Sequence, residues 1–173
     1  MTDDRVVVSA PSSAVDHLDD LSPLWCQMQE HQIAVAHHQG LNRDLVAGWQ
    51  IRRSWYVDEL AKGGAIIRAS RGDRLVGYCA VSLQLVRDET FDSMATATVI
   101  TLSVHESERG GGVGSRLLDA AEAFARSQGA DTLALEVMPG NDRARGLYER
   151  RGFEAVEVTM HRDLVSGDGQ SAV

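Results

Sequence analysis

The chain has 173 residues, 43% of them hydrophobic, which suits one domain with a substantial core. Its formal net charge of -8, from 25 acidic and 17 basic residues, opposes a polyphosphate chain, so nucleic acid is not an expected partner. No apolar run reaches the length of about eighteen residues that a membrane span needs, and the acidic start Met1-Thr-Asp-Asp-Arg5 is unlike a secretory signal. Cys26 and Cys79 have no second ligand at metal spacing. A cytoplasmic protein in a reducing compartment, off the membrane and without a metal, is expected.

Arg5 to Val8 is a short apolar run that breaks at Ser9-Ala10-Pro11, the mark of a first strand. Leu18, Leu21, Leu24, Trp25 and Met28 recur at helical steps and predict a helix running into the late thirties, with Gly40 as its stop. Asn42 or Asp44 can cap a second helix that carries Leu45, Trp49, Tyr56 and Leu60 on one face and ends at Gly63-Gly64. Ala65 to Ala69 and Leu75 to Val86 then read as a hairpin about Arg71-Gly72-Asp73, with a bulge expected at Gly77. After a charged loop over 87–92, the β-branched run Thr96 to Val104 is a fourth strand. Leu117, Leu118, Ala121 and Phe124 mark a third helix from Val113, closed by Gly129. A strand over 132–137 follows, then a short helix capped by Asn141 and stopped by Gly152, and a last strand from Phe153 to Met160. The tail over 166–173 has no apolar pattern and is expected to be disordered beyond a single domain spanning 1–165.

The fourth strand reaches the third helix through Val104-His-Glu-Ser-Glu-Arg109-Gly-Gly-Gly-Val-Gly-Ser115. Glycines let backbone approach a ligand closely, and free N–H groups at a helix start favour a phosphate or pyrophosphate. A turn needing glycine only for its backbone angles would look the same. Two phosphate motifs fail on these residues. Ser115-Arg116 follows Gly114 where a nucleotide-binding Walker loop needs lysine, and a dinucleotide fingerprint begun at Gly110 meets Ser115 where its third glycine belongs.

The spacing that does fit is arginine or glutamine, two residues, glycine, one residue, glycine or alanine, met by Arg109, Gly112 and Gly114. Downstream, Asn141-Asp-Arg-Ala144-Arg-Gly-Leu-Tyr148 leads to Gly152-Phe153. In these two motifs and their separation the chain resembles the GNAT superfamily of N-acetyltransferases, up to about residue 163. The resemblance implies the acyl-CoA N-acyltransferase fold: an α/β domain with a mixed, mainly antiparallel sheet, splayed between strands four and five, and helices on both faces.

It also implies acetyl transfer from acetyl-CoA to a primary amine in a ternary complex. The backbone of Arg109, Gly110, Gly111, Gly112, Val113, Gly114 and Ser115 would hold the CoA pyrophosphate. The edge of Leu102, Ser103 and Val104 would pair with the pantetheine arm. The Leu102 N–H would polarise the thioester carbonyl. Asn141, besides capping its helix, matches the residue that contacts the arm. Tyr148 matches the general acid for the departing thiolate, since a phenol near pKa ~10 stays protonated at neutral pH; as a plain core aromatic it would pack beside Leu147. The chain departs from the pattern in one respect: many relatives carry a glutamate in the fourth strand, and Thr96 to Val104 holds no carboxylate. Glu30, His31, His37, His38, His105 and Glu106 read as surface residues before they read as a base, so the base is unassigned. The spacing of His31, His37 and His38 does not put three imidazoles on one helical face, which argues against zinc.

A small-molecule or peptide amine is the expected acceptor, and a homodimer stays open because dimers are common in the superfamily. A non-catalytic acyl-CoA sensor on the same fold, or an unrelated phosphate-binding protein, would share the glycine turn.

Overall fold

The computed structural model describes residues 5–36, 44–83 and 95–161. A sheet of order β1-β2-β3-β4-β5 is built from β1 (Val6–Val8), β2 (Ala65–Arg71), β3 (Arg74–Ser82), β4 (Thr96–Val104) and β5 (Thr132–Leu135). The first four strands pair antiparallel, and β4 pairs parallel with β5. The helices are α1 (Ser22–Val35), α2 (Leu45–Ala61), α3 (Val113–Ser127) and α4 (Asp142–Arg150). This is the splayed, mixed sheet that the resemblance implies.

Each helix arises from local chemistry. Pro23 opens α1, where its missing N–H costs nothing, after a 3-10 turn over Leu18–Leu21. Asp44 caps α2 by accepting the Ala47 N–H, while Asn42 lies outside the described residues. Gln128 ends α3 and Gly129 follows it at φ 82°. The first helix ends at Val35, and Gly40, the charged loop of 87–92 and the tail of 166–173 lie outside the described residues.

Helices cover both faces of the sheet. Trp25 and Leu24 of α1 and Trp49, Tyr56 and Leu60 of α2 pack on Ile66, Tyr78 and Ala80. On the opposite face Val113, Leu117, Leu118, Ala121 and Ala125 of α3 pack on Ile67, Cys79, Val81, Ala97 and Val99. Leu147 and Tyr148 bring α4 to this second cluster, although no α4 residue is fully buried.

Two register shifts shape the sheet. Ala69 pairs with Gly77 and Ser70 with Leu75, which leaves Val76 as the extra residue next to the expected position. Gly77 itself is in register, and its lack of a side chain serves packing: a Cβ there would stand 3.0 Å from the Ser103 carbonyl and 3.2 Å from Leu117. The second shift lies in β4, where Ala80 pairs with Thr101 but Val81 with Val99, so Ile100 bulges. It reverses the side-chain alternation. Ala97 and Val99 face α3 before it, Leu102 and Val104 after it, while Thr101 and Ser103 turn to the helices of the other face.

The strand expected from Phe153 to Met160 does not form, and β5 stops at Leu135. A strand needs a neighbour for its backbone groups, and residues 154–160 join no ladder among the described residues.

Gly77→Val should lower the unfolding free energy by about 1–3 kcal/mol through overpacking against Ser103 and Leu117, measured by urea denaturation.

Candidate active site

The site begins where β4 and β5 part. Their ladder runs from Thr96 with Thr132 to Val99 with Leu135 and stops at the bulge. The remaining half of β4 has no strand on that side among the described residues. The direction of its backbone groups follows from alternation in the antiparallel ladder. The His105 N–H donates to the Val76 carbonyl at 2.8 Å, which makes that pair hydrogen-bonded and the Val104–Gly77 pair beside it not. Ser103 with Tyr78 is bonded again, and Leu102 with Cys79 is not. The N–H and C=O groups of Leu102 and Val104 therefore point into the gap. The Arg109 side chain agrees, since its Nε donates to the Val104 carbonyl at 3.2 Å.

The bulge is pinned by a buried chain of hydroxyls that sequence patterns do not disclose. Tyr56 donates to Thr101 Oγ1 at 2.6 Å, and Thr101 donates to the Ile100 carbonyl at 2.7 Å. The Tyr56 proton being so used, Tyr78 donates to the Tyr56 oxygen at 3.1 Å. Burial pushes both phenols up, so the chain stays neutral and fully protonated. Ser103 Oγ donates to the Leu24 carbonyl and ties the same strand to α1.

At the end of this edge stands the glycine turn. A 3-10 turn over Glu106–Glu108, capped by the His105 side chain, leads into it. Gly110 at φ 88° and Gly112 at φ 80° take backbone angles that other residues resist. The amides of Arg109 and Gly111 are engaged by the carbonyls of Glu106 and Glu108. Among the described residues, the N–H groups of Gly110, Gly112, Val113, Gly114 and Ser115 have no such acceptor. Five of the seven amides singled out by sequence are thus free, at the positive end of a fifteen-residue helix.

The charges around the turn suit an anion. Glu108 is paired to Arg71 at 2.8 Å and Arg74 at 2.9 Å, whose hydrogen bonds hold its carboxyl below the usual range and offset its charge. The Arg143 guanidinium stands 3.9 Å from where a Gly110 side chain would begin, with no acidic partner among the described residues. Arg143 has one signal in the sequence, its place between Asn141 and Ala144, and no charge pattern there singles it out.

Tyr148 lies on α4, beside Leu147 and edge-on to Phe153 at 5.8 Å between ring centroids. Burial, followed by the nearby Cys79 thiol, pushes its phenol up from 10.0 to about 12. Asn141 caps α4 through its side-chain oxygen, which accepts the Ala144 N–H at 3.2 Å, so the capping role is realised. Gly140 before it sits so close to the Val35 carbonyl that no side chain fits, which brings this loop against the end of α1.

No base emerges from the candidates. Glu30 and Glu106 are exposed, His105 Nδ1 is committed to Ser107, and His37 and His38 lie outside the described residues. Among the described residues no three metal-ligating side chains converge, and no helix is long and apolar enough to cross a membrane. Trp25, Trp49 and Tyr56 are core aromatics, while Trp55 is partly exposed with the Arg52 guanidinium 4.6 Å from its ring centre.

The splayed edge, the free amide cluster and the phenol belong to one α/β domain, whose family the comparisons identify. Residues 34–153 match the acetyltransferase (GNAT) family. The chain is 38% identical over 144 residues to the uncharacterized N-acetyltransferase YhfO of Bacillus subtilis, covering 82% of this chain and 86% of that protein. It is 30% identical over 150 residues to the mycothiol acetyltransferase of Propionibacterium freudenreichii, covering 84% of this chain but only 44% of that one. The structure of AAC(6')-Iy with the bisubstrate analogue CoA-S-monomethyl-acetylneamine superposes with a TM-score of 0.66 at 17% identity, covering 93% of this chain and 99% of that one. This chain belongs to the GNAT family of acetyltransferases.

Burial has a consequence for alkaline stability. The folded state raises Tyr148 from 10.0 to about 12 and Cys79 from 9.0 to about 12, so both favour folding while protonated. Their contribution is complete below pH 9 and is lost as pH climbs through about 12. Thermal unfolding across that range should show a decline that is shallower in Tyr148→Phe.

Proposed function

We propose that the chain transfers the acetyl group of acetyl-CoA to a primary amine by direct attack in a ternary complex. The observation that carries this is the continuity of the unpaired β4 edge with the free amides at the start of α3. One surface thus offers strand-like hydrogen bonds to an extended amide arm and converging N–H groups to a diphosphate. Bound there, acetyl-CoA supplies an activated acyl group.

The residues then divide the work. Gly110, Gly112, Val113, Gly114 and Ser115 hold the pyrophosphate through their backbone N–H groups, with Arg109 and Gly111 shaping the turn. Leu102 and Val104 align the pantetheine arm, Ser103 anchors the strand from behind, and Asn141 orients the start of α4 beside the arm. The amine nitrogen forms its bond to the thioester carbon, and the Leu102 N–H donates to the oxygen as it gains charge. As the carbon–sulfur bond breaks, Tyr148 gives its proton to the departing thiolate and recovers one from solvent. The amine loses its proton to water, which no single side chain is required to relay.

The acceptor is a small-molecule or peptide amine. AAC(6')-Iy, bound to an acetylneamine analogue, and the mycothiol acetyltransferase are similar proteins whose names place their chemistry on small molecules. The carboxylate-free β4 favours one other reading, an acyl-CoA sensor without turnover. Titration calorimetry should detect binding of both CoA and acetyl-CoA, and a thiol-release assay over an amine panel should find turnover. Binding without turnover would favour the sensor, and no binding of either ligand would defeat both readings.

Tyr148→Phe should lower kcat by roughly 10²–10⁴-fold while leaving acetyl-CoA affinity nearly unchanged. Gly112→Val should do the reverse and weaken CoA in calorimetry, because a β-branched residue resists φ 80°.

A further inference from the structure

Among the described residues, the buried side-chain atoms without a hydrogen-bond partner all lie on α1 and α2: Trp25 Nε1, Gln27 Oε1, one terminal guanidinium nitrogen of Arg52 and Glu59 Oε2. Buried polar groups left unpaired need a reason. Glu59 is balanced through its other oxygen by Lys62 at 2.8 Å, and Arg53, the neighbour of Arg52, by Asp19 at 3.1 Å. Arg52 has no acidic partner among the described residues. Its guanidinium carbon lies over the Trp55 ring, 4.6 Å from the centre, and 5.8 Å from the centre of the Tyr56 ring. A ring face attracts the cation but leaves most of the five N–H donors around its rim without an acceptor. The residue is only partly buried, so a ligand can reach it.

The place of this cation in the fold gives it a use. Tyr56, on which it rests, also bonds Thr101 at 2.6 Å, and Thr101 precedes Leu102, whose N–H is proposed to face the thioester oxygen. One phenol ring therefore spans the way from Arg52 to the proposed reacting centre. Tyr148 packs with α3 on the opposite face of the sheet, which leaves the face of α1 and α2 to the incoming amine. Resting on the acetyltransferase reading above, we propose that Arg52 binds a carboxylate of the acceptor, and that the acceptor is an amino-carboxylate such as a dipeptide or an ω-amino acid. The planar guanidinium fork matches the two oxygens of a carboxylate and supplies the pairing that the fold withholds from it. The intervening ring sets the spacing: the carboxylate lies several bonds from the nucleophilic nitrogen. An amine without an anionic group would leave the cation as bare as before.

Initial rates at saturating acetyl-CoA, measured for a panel of dipeptides and ω-amino acids beside their carboxamides, should give a KM roughly 10–100-fold lower for the free acids. Arg52→Gln should bring the acid-to-amide KM ratio near one by raising KM for the acids, and Arg52→Lys should keep part of the preference. Circular dichroism and an unchanged acetyl-CoA Kd in calorimetry would confirm that both variants are folded. Amides accepted on equal terms with acids, turnover confined to amines that lack a carboxylate, or an acid preference that survives Arg52→Gln would each overturn this inference alone. Cofactor binding with turnover of no amine would remove the acetyltransferase reading, and the inference with it.

Discussion

The parting of β4 from β5 is the constraint on which the rest of the molecule depends. A ladder that ended by simple fraying would leave backbone groups to water. Here it ends at a bulge, and the strand continues for another four residues beyond Ile100 with its antiparallel partner intact on one side. Because that ladder stays in register, the outward amides of Leu102 and Val104 are held in fixed positions. A strand edge left open inside a fold is costly unless something fills it. In this chain the open edge and the amide cluster of α3 lie end to end, which is why we propose for both a single ligand with an amide-bearing arm and a diphosphate.

Rigidity behind the site comes from polar groups buried without charge. The hydroxyls of Tyr78, Tyr56 and Thr101 pass hydrogen bonds in one direction to the bulge carbonyl. Since burial keeps both phenols protonated, the relay does not switch with pH in the range where proteins work. It acts as a clamp. The aromatic series Trp25, Trp49, Tyr56 and Tyr78 runs from α1 through α2 to the sheet, and Tyr56 in it also bonds Thr101 beside the bulge.

The net acidity of the chain does not exclude the anion we propose at the glycine turn. The net charge of -8 repels a phosphate at long range, but screening confines that repulsion to about 8–10 Å at ordinary salt. Close in, the partial charges of the first α3 amides decide. Glu108, the acid nearest the turn in sequence, is offset by the paired guanidinium groups of Arg71 and Arg74. Arg143 adds positive charge on the other side of Gly110.

Much of this was legible in order along the chain. Thr96 to Val104 was read as a strand with its observed limits, Asn141 as a cap and Gly152 as a stop, because strand propensity, capping and positive φ are set by neighbours in sequence. The glycine turn was legible for the same reason, and its spacing to Asn141 and Tyr148 carried the family. What the residues alone did not disclose depends on partners distant in sequence. The bulge moved from Gly77 to Val76, and a second arose at Ile100, since register is a property of two strands together. Which amides of the turn are free depended on how Glu106 and Glu108 fold back. The alternation of Val156, Val158 and Met160 is that of a strand, but strand pairing needs a neighbouring edge, and among the described residues none pairs with it.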